Sequence, residues 1–257
     1  MNSIHRLRHS AVSEVGLKRR RNEDAFGIYD SAAAGESPGT EGVLFVVADG
    51  IGGHACGDLA SRMACDGLRV FFDEAGKADS PRACAQRLAQ VIRGVDAQVR
   101  ERAAGDPACA DMGSTLSALL VADGFGVLAH VGDSRIYRMR AGRLMRLSTD
   151  HTFVQEMIAE GELSPEAVEN HPFRNVLTRA VGTPEPLEEI ETEVFVVKPG
   201  DRFLLATDGL NDMVADAEIG RILGDTGVGP EPTARILVDA ALENGGRDNI
   251  TVIVVDA

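Results

Sequence analysis

Two textures of hydrophobic and polar positions alternate along the chain. Short runs of β-branched and apolar residues stand between turn formers, and longer stretches carry apolar residues at every third or fourth place. "DAFGIYD" (24–30) predicts a strand. "GVLFVVAD" (42–49) predicts a second, whose near-continuous apolar run suits burial on both faces. The small polar segment 30–42 between them predicts a hairpin loop, and the spacing from 54 to 72 predicts a helix. A clearer helix begins at Ser80-Pro81, where a capping hydroxyl precedes a proline at the first helical position. Cys84, Leu88, Val91, Val95 and Val99 form its core-facing stripe.

Beyond residue 113 the pattern predicts a meander of short strands: "STLSALLVAD", "FGVLAHVGD", "SRIYRMR" and "RLMRLST", with turns such as Ala141-Gly142. Helical character returns at 151–170, with Ser164-Pro165 opening a second short helix. Strands "IETEVFVVK" and "DRFLLAT" follow, joined by Pro199-Gly200; then a helix pair over roughly 209–243 and a buried strand, "NITVIVVDA". Hairpin-joined strands with helices in pairs predict an α+β fold. The expected architecture is a four-layer αββα sandwich of two mainly antiparallel sheets, forming a single domain over 1–257.

Composition narrows the function classes. The 257 residues include 44% hydrophobic and 26% charged positions, enough for a sizeable core. The formal charge of −14 disfavours nucleic acid and anionic membranes as partners. Neither a signal-peptide pattern nor an apolar run of about 20 residues occurs, so no membrane insertion is expected. Cys56, Cys65, Cys84 and Cys109 lack metal-binding spacing and are expected to be reduced, mostly buried thiols of a cytoplasmic protein.

Candidate chemistry gathers on four aspartates, each at a boundary between apolar strand and loop: Asp24, Asp49, Asp208 and Asp248. A single Asp-Gly after a strand is ordinarily just a turn. Four are harder to dismiss. If the strand ends meet, like charges about 4 Å apart repel by roughly 4 kcal/mol at an effective dielectric near 20. A hard divalent cation relieves this, and all-oxygen ligation selects Mg²⁺ or Mn²⁺ over zinc. "GIGGHA" (50–55) also fits a dinucleotide fingerprint, but Asp49 directly before it would oppose a pyrophosphate, and the later chain lacks strand–helix alternation. "LKRRRNED" (17–24) places four cations before Glu23-Asp24, where an arginine would be able to grip phosphate oxygens; solvation of a basic patch is the plainer reading.

Several blocks in this order carry a resemblance: Gly16, Arg19 and Asn22-Glu23-Asp24, then "VADGIGGHACG", "DMGSTL", "HVGDSRIY", "HPFRNVLTRAVG", "LLATDGLNDMV" and "GGRDNITVIVV". Together they resemble the bacterial metal-dependent protein phosphatases of the PPM family (protein phosphatase type 2C), over essentially the whole chain. The resemblance implies hydrolysis of phosphoserine and phosphothreonine by a hydroxide bridging two Mn²⁺ or Mg²⁺ ions, with no phosphoenzyme. Asp49 would bridge the metals and the Gly50 carbonyl would complete one site. Asp208 and Asp248 would complete the other, and Glu23 and Asp24 would hold metal-bound waters. Arg19 would bind the phosphate. Asp111 and Asp212 would hold, with Asp208, a third and weaker ion. Residues 152–182 would form a mobile flap, and Asp133 would be structural. The histidine found in animal members two places after the bridging aspartate is Ile51 here, which leaves His54 as a candidate proton donor. Implied partners are phosphoprotein substrates and a cognate Ser/Thr kinase, with the enzyme a monomer. A catalytically silent phosphoprotein-binding scaffold is the alternative of a different class.

Overall fold

The computed structural model describes residues 7–31, 41–52, 56–73, 80–122, 124–168 and 171–257. Eleven strands make two sheets among these residues. One sheet is ordered β1 (Arg8–Glu14), β11 (Ile250–Asp256), β10 (Arg202–Ala206), β7 (Arg135–Arg140), β8 (Arg143–Arg146). The other runs β2 (Asp24–Asp30), β3 (Val43–Ile51), β5 (Leu116–Ala122), β6 (Phe125–Val131), β9 (Glu191–Val196), with the short β4 (Gly113–Ser114) on the end of β3. Every pairing is antiparallel.

The layers follow from the apolar runs. Along β3, Leu44, Val46 and Ala48 face one side, where they pack with α1 (Gly57–Gly67) and α3 (Pro81–Ala104). Phe45 and Val47 face the other side and meet Phe203, Leu205, Ile253 and Val255 of the opposite sheet. The outer face of that second sheet, through Leu204, Val252 and Val254, packs on α6 (Asp216–Leu223) and α7 (Pro230–Glu243). A strand that must fill two apolar layers can carry no polar face, hence the continuous rather than alternating sequence. This is the αββα sandwich the pattern predicts.

Several elements depart from expectation. β5 and β6 form a hairpin, as do β7 and β8, but the chain crosses from one sheet to the other between β6 and β7, and again between β9 and β10. Both sheets are antiparallel, and sequence neighbours look the same whether or not they pair. The helix expected over 54–72 starts at Gly57 and ends at Gly67, with the short α2 (Val70–Asp73) beyond it. Three helices occupy 208–243, because α5 (Asp208–Asn211) precedes α6 and α7. Ser31 N–H donates to the Gly42 carbonyl at 3.0 Å, closing the expected hairpin; residues 32–40 lie outside the described ones.

The cysteine expectation is corrected in part. Cys56 and Cys109 form a disulfide with Cα atoms 5.4 Å apart, joining the start of α1 to the turn before β4. Spacing of 53 residues carries no pairing signal, since only tertiary contact brings such positions together. Cys65 and Cys84 are buried thiols outside the disulfide. Among the described residues no helix is long and apolar enough to cross a membrane.

Candidate metal centre

Asp24 and Asp49 are direct partners across the antiparallel β2–β3 pair. Asp49 is not the last residue of its strand, as the Asp-Gly signal suggests; β3 continues to Ile51, and Gly50 and Ile51 pair with Ser114 and Gly113. Gly50 is required by crowding. Its N–H donates to the Glu23 carbonyl at 3.1 Å, and a Cβ there would run into the backbone carbonyl of Gly57.

From the other sheet come Asp208, the first residue of α5 and two residues after β10, and Asp248, two residues before β11. Because β10 and β11 are antiparallel neighbours, the end of one and the start of the other share an edge of the sheet. The two sheets are joined at this edge by a polar contact. Thr207 Oγ1 donates to Asp24 Oδ2 at 2.8 Å while accepting from the Thr251 N–H at 2.9 Å.

The carboxylates act strongly on one another. Burial, then the neighbouring Asp208 and Asp24 charges, holds the Asp49 carboxyl well above the usual range. Asp24 is pushed up to about 7, chiefly by burial; the hydroxyls of Thr251 and Thr207 oppose the shift, and Asp208 and Asp248 add to it. Asp208 rises to about 6 through burial and the charges of Asp248 and Asp212. Asp133 also belongs to this group, raised by burial and by Asp208. The resemblance assigned it a structural role, and only the fold reveals its electrostatic link to the centre.

Asp24 Oδ1 and Asp208 Oδ1 are buried with no hydrogen-bond partner. Buried carboxylate oxygens ordinarily find a donor or a cation. Here two oxygen atoms from different sheets lack a donor within a group of mutually repelling carboxylates. This donor set fits Mn²⁺ or Mg²⁺, hard cations that take oxygen ligands.

The rim is built by local clamps. Arg19 Nη2 donates to Asp248 Oδ2 at 2.6 Å. Asn249 holds the loop that carries Arg19: its Oδ1 accepts from Glu23 N–H at 2.8 Å, and its Nδ2 donates to the carbonyls of Val15 and Arg21. Gly16, at φ +79°, lies so near the Asp248 carbonyl that a Cβ would collide with it. Glu23 sits beside Gly57, where a Cβ would come within 3.2 Å of its carboxyl carbon. Asp212 lies one turn beyond Asp208 and accepts from Arg174 and Asn175, both at 3.3 Å. Asp111 is exposed next to Gly52 and is not among the leading charges acting on Asp24, Asp49 or Asp208. His54 lies outside the described residues.

Sequence reasoning passed over Thr207, Thr115 and Asn249. Thr115 Oγ1 accepts from the Asp49 N–H at 2.9 Å and bonds Ser134 Oγ at 2.8 Å, fixing the strand beside the carboxylate. The signal for these residues is that they stand inside the blocks "ATDG", "GSTL" and "RDNI", beside or close to a carboxylate or strand end.

A second convergence of ligating side chains, His130, His151 and Glu191, has a different character. His130 Nε2 faces the Thr149 carbonyl at 3.1 Å and so carries the proton, leaving Nδ1 to accept from Ser117. His151 Nδ1 accepts from Gly132 N–H at 3.1 Å, which puts its proton on Nε2 towards Glu191. Neither stacked ring keeps a free lone pair for a metal. Burial first, then a nearby cationic or imidazole group, pushes them down to about 3 and about 4.

A model of the family described as protein phosphatase 2C matches residues 19–236. The chain belongs to the protein phosphatase 2C family. It is 36% identical over 252 residues to the serine/threonine protein phosphatase PstP of Mycobacterium tuberculosis. That match covers 97% of this chain and 45% of PstP, so the chain spans about half the length of that relative. Two solved protein phosphatase 2C relatives resemble it in three dimensions. PppA, a key regulatory component of T6SS in Pseudomonas aeruginosa, superposes with a TM-score of 0.80 at 38% identity, over 100% of each chain. The catalytic domain of PstP in complex with 2 manganese ions gives 0.81 at 33% identity, over 97% of each. The fold expected of the protein phosphatase 2C family is thereby borne out.

Proposed function

We propose that the chain is a metal-dependent protein serine/threonine phosphatase that hydrolyses phosphoserine and phosphothreonine. The observation that carries this reading is the pair of unpartnered, buried oxygens, Asp24 Oδ1 and Asp208 Oδ1, within carboxylates drawn from two sheets. Asp49, Asp208, Asp248 and the Gly50 carbonyl would hold two cations, with Glu23 and Asp24 beside them. Asp111 and Asp212 would join Asp208 around a third and weaker ion. Bound Mn²⁺ or Mg²⁺ would supply Lewis acidity and a water of lowered pKa at neutral pH.

The chain's own residues do the rest. Arg19, now on Asp248, presents a guanidinium fork that matches two phosphate oxygens, so it can exchange one carboxylate partner for a phosphate. Thr207 and Thr115 hold Asp24 and the Asp49 strand in place. The segment 152–182 serves as a flap: its stem closes at the bridges Thr152–Leu177 and Ser114–Val181, and Arg174 tethers it to Asp212. His54 stands as the candidate proton donor in the loop that follows β3.

All these groups come from one chain, which supports action as a monomer. A cognate Ser/Thr kinase would generate the substrates. Because phosphorylation uses ATP, the cytoplasm is the setting this reading calls for; the Cys56–Cys109 disulfide removes reduced thiols as a support for it. Likeness to PppA over the full length of both chains makes regulation of a T6SS the first setting to test.

The decisive assay is phosphate release from a phosphothreonine peptide and from p-nitrophenyl phosphate, with Mn²⁺, Mg²⁺ or chelator. We expect activity that the chelator abolishes. Asp49→Asn and Asp208→Asn should each lower kcat/KM by at least about 100-fold, with far-UV circular dichroism unchanged. Turnover that survives both substitutions or the chelator would overturn the two-metal reading.

A further inference from the structure

One feature of the sequence is left over by the site: of the four cations in "KRRR", the centre uses only Arg19. Lys18, Arg20 and Arg21 are exposed, and among the described residues none of their side chains forms an ion pair or hydrogen bond. The fold adds a further cation to them. Leu17 N–H donates to the Gly246 carbonyl at 2.7 Å, and Asn249 Nδ2 bonds the carbonyls of Val15 and Arg21 at 2.9 and 2.8 Å. These bonds clamp the 15–21 turn onto 246–249, which brings in Arg247, likewise exposed and unpaired among the described residues. Four uncompensated cations thus sit on the two segments that are joined by the Arg19–Asp248 pair.

The rest of the surface is organised differently. With 40 acidic residues against 26 basic ones, exposed arginines elsewhere are commonly matched to carboxylates, as in Arg62–Asp58, Arg102–Asp106, Arg221–Glu218 and Arg235–Glu14. In a chain so acidic, four exposed cations on the segments that carry the Arg19–Asp248 pair, none of them matched to a carboxylate among the described residues, are an exception that a counter-charge from outside would satisfy. A phosphopeptide supplies it. Residues two or three places from the phosphorylated one lie about 7–10 Å along an extended chain, within reach of long basic side chains around Arg19.

We propose that Lys18, Arg20, Arg21 and Arg247 form a cationic rim that selects phosphoproteins with acidic residues flanking the phosphoserine or phosphothreonine. This rests on the phosphatase reading for the phosphate itself, whereas the rim's preference for acidic peptide is separable from it. Exposed charge pairs are individually weak and salt-sensitive, so selection comes from several acting together and weakens as ionic strength rises.

The test compares two phosphothreonine peptides of equal length, one flanked by glutamates and one by lysines, with p-nitrophenyl phosphate as a substrate lacking flanks. For the wild-type protein with Mn²⁺ at low salt, kcat/KM should favour the acidic peptide by on the order of tenfold. The preference should shrink in about 0.5 M salt. The variant K18Q/R20Q/R21Q/R247Q should lose it through a raised KM while turning over p-nitrophenyl phosphate as before; R20Q/R21Q serves as a milder version should the fourfold change impair folding. Equal kcat/KM for the two peptides, or a preference that survives the substitutions, would overturn the proposal. Fluorescence anisotropy of the unphosphorylated acidic and basic peptides, without added metal, reads the rim apart from catalysis. Selective binding of the acidic peptide supports the rim even if no phosphate is released, an outcome that would count against the phosphatase reading alone. Tighter binding of a single-stranded oligonucleotide than of the acidic peptide would assign the rim to nucleic acid instead.

Discussion

At the scale of single residues, the direction of one hydroxyl organises the centre. Thr207 Oγ1 accepts from the Thr251 N–H, so its own proton is directed to Asp24 Oδ2. That leaves Asp24 Oδ1 as the oxygen without a partner. Thr207 is fully buried, so no water replaces the bond when the hydroxyl is removed. Thr207→Val, nearly the same shape without the donor, should weaken Mn²⁺ binding by about 10–100-fold, the usual effect of losing a group that orients a ligand. Thr207→Ser should recover most of the affinity. Calorimetric titration with Mn²⁺ measures both; equal affinity in the valine variant would show that Thr207 does not position Asp24.

At the scale of elements, the stretch 182–187 is tied down by a buried carboxylate on α3. Asp96 is 1% exposed; its Oδ1 accepts from Gly182 N–H at 2.9 Å, and its Oδ2 accepts from Leu187 N–H and Arg100 Nε. The helix therefore supplies hydrogen bonds to a stretch with no regular backbone partners of its own. Nothing in the sequence marks this, because Asp96 sits between apolar positions as any exposed helical aspartate would. Asp96→Ala strands two buried N–H groups and should cost about 2–4 kcal/mol of stability, read by urea unfolding. A loss below about 0.5 kcal/mol would mean that the stretch is held by other contacts.

At the scale of the whole molecule, the buried carboxylates oppose folding as they ionise. Asp24 and Asp208 move up from an ordinary 3.8 to about 7 and about 6, so between pH 4 and 7 the folded chain binds more protons than the unfolded one. Stability contributed by these groups is present at low pH and declines as pH rises through that window. On the proposed two-metal reading a cation would reverse the trend, since it would bind the ionised carboxylates and displace protons in acid. Thermal melts in chelator should show this contribution falling from pH 5 to 7.5, and added Mn²⁺ should raise Tm more at pH 7.5 than at pH 5. An equal shift at both values would separate cation binding from these carboxylates.

The layered architecture was legible in the chain's own pattern. Continuous apolar runs such as residues 43–48 need burial on both faces, and helical stripes need a sheet to cover; two sheets between helices satisfy both. Carboxylates at strand ends, with Gly50 against crowded backbone, were likewise legible, because local composition directly reflects these demands. Which distant residues meet was not legible there and comes from long-range contact alone. The sheet changes after β6 and β9, the Cys56–Cys109 bond, Asp133 among the carboxylates, the Thr207–Asp24 bridge and Arg247 beside the 17–21 turn all join residues far apart in the chain. Hydrophobic periodicity says that a face is buried; it cannot say against what, because the energy of apolar burial is nearly indifferent to the partner.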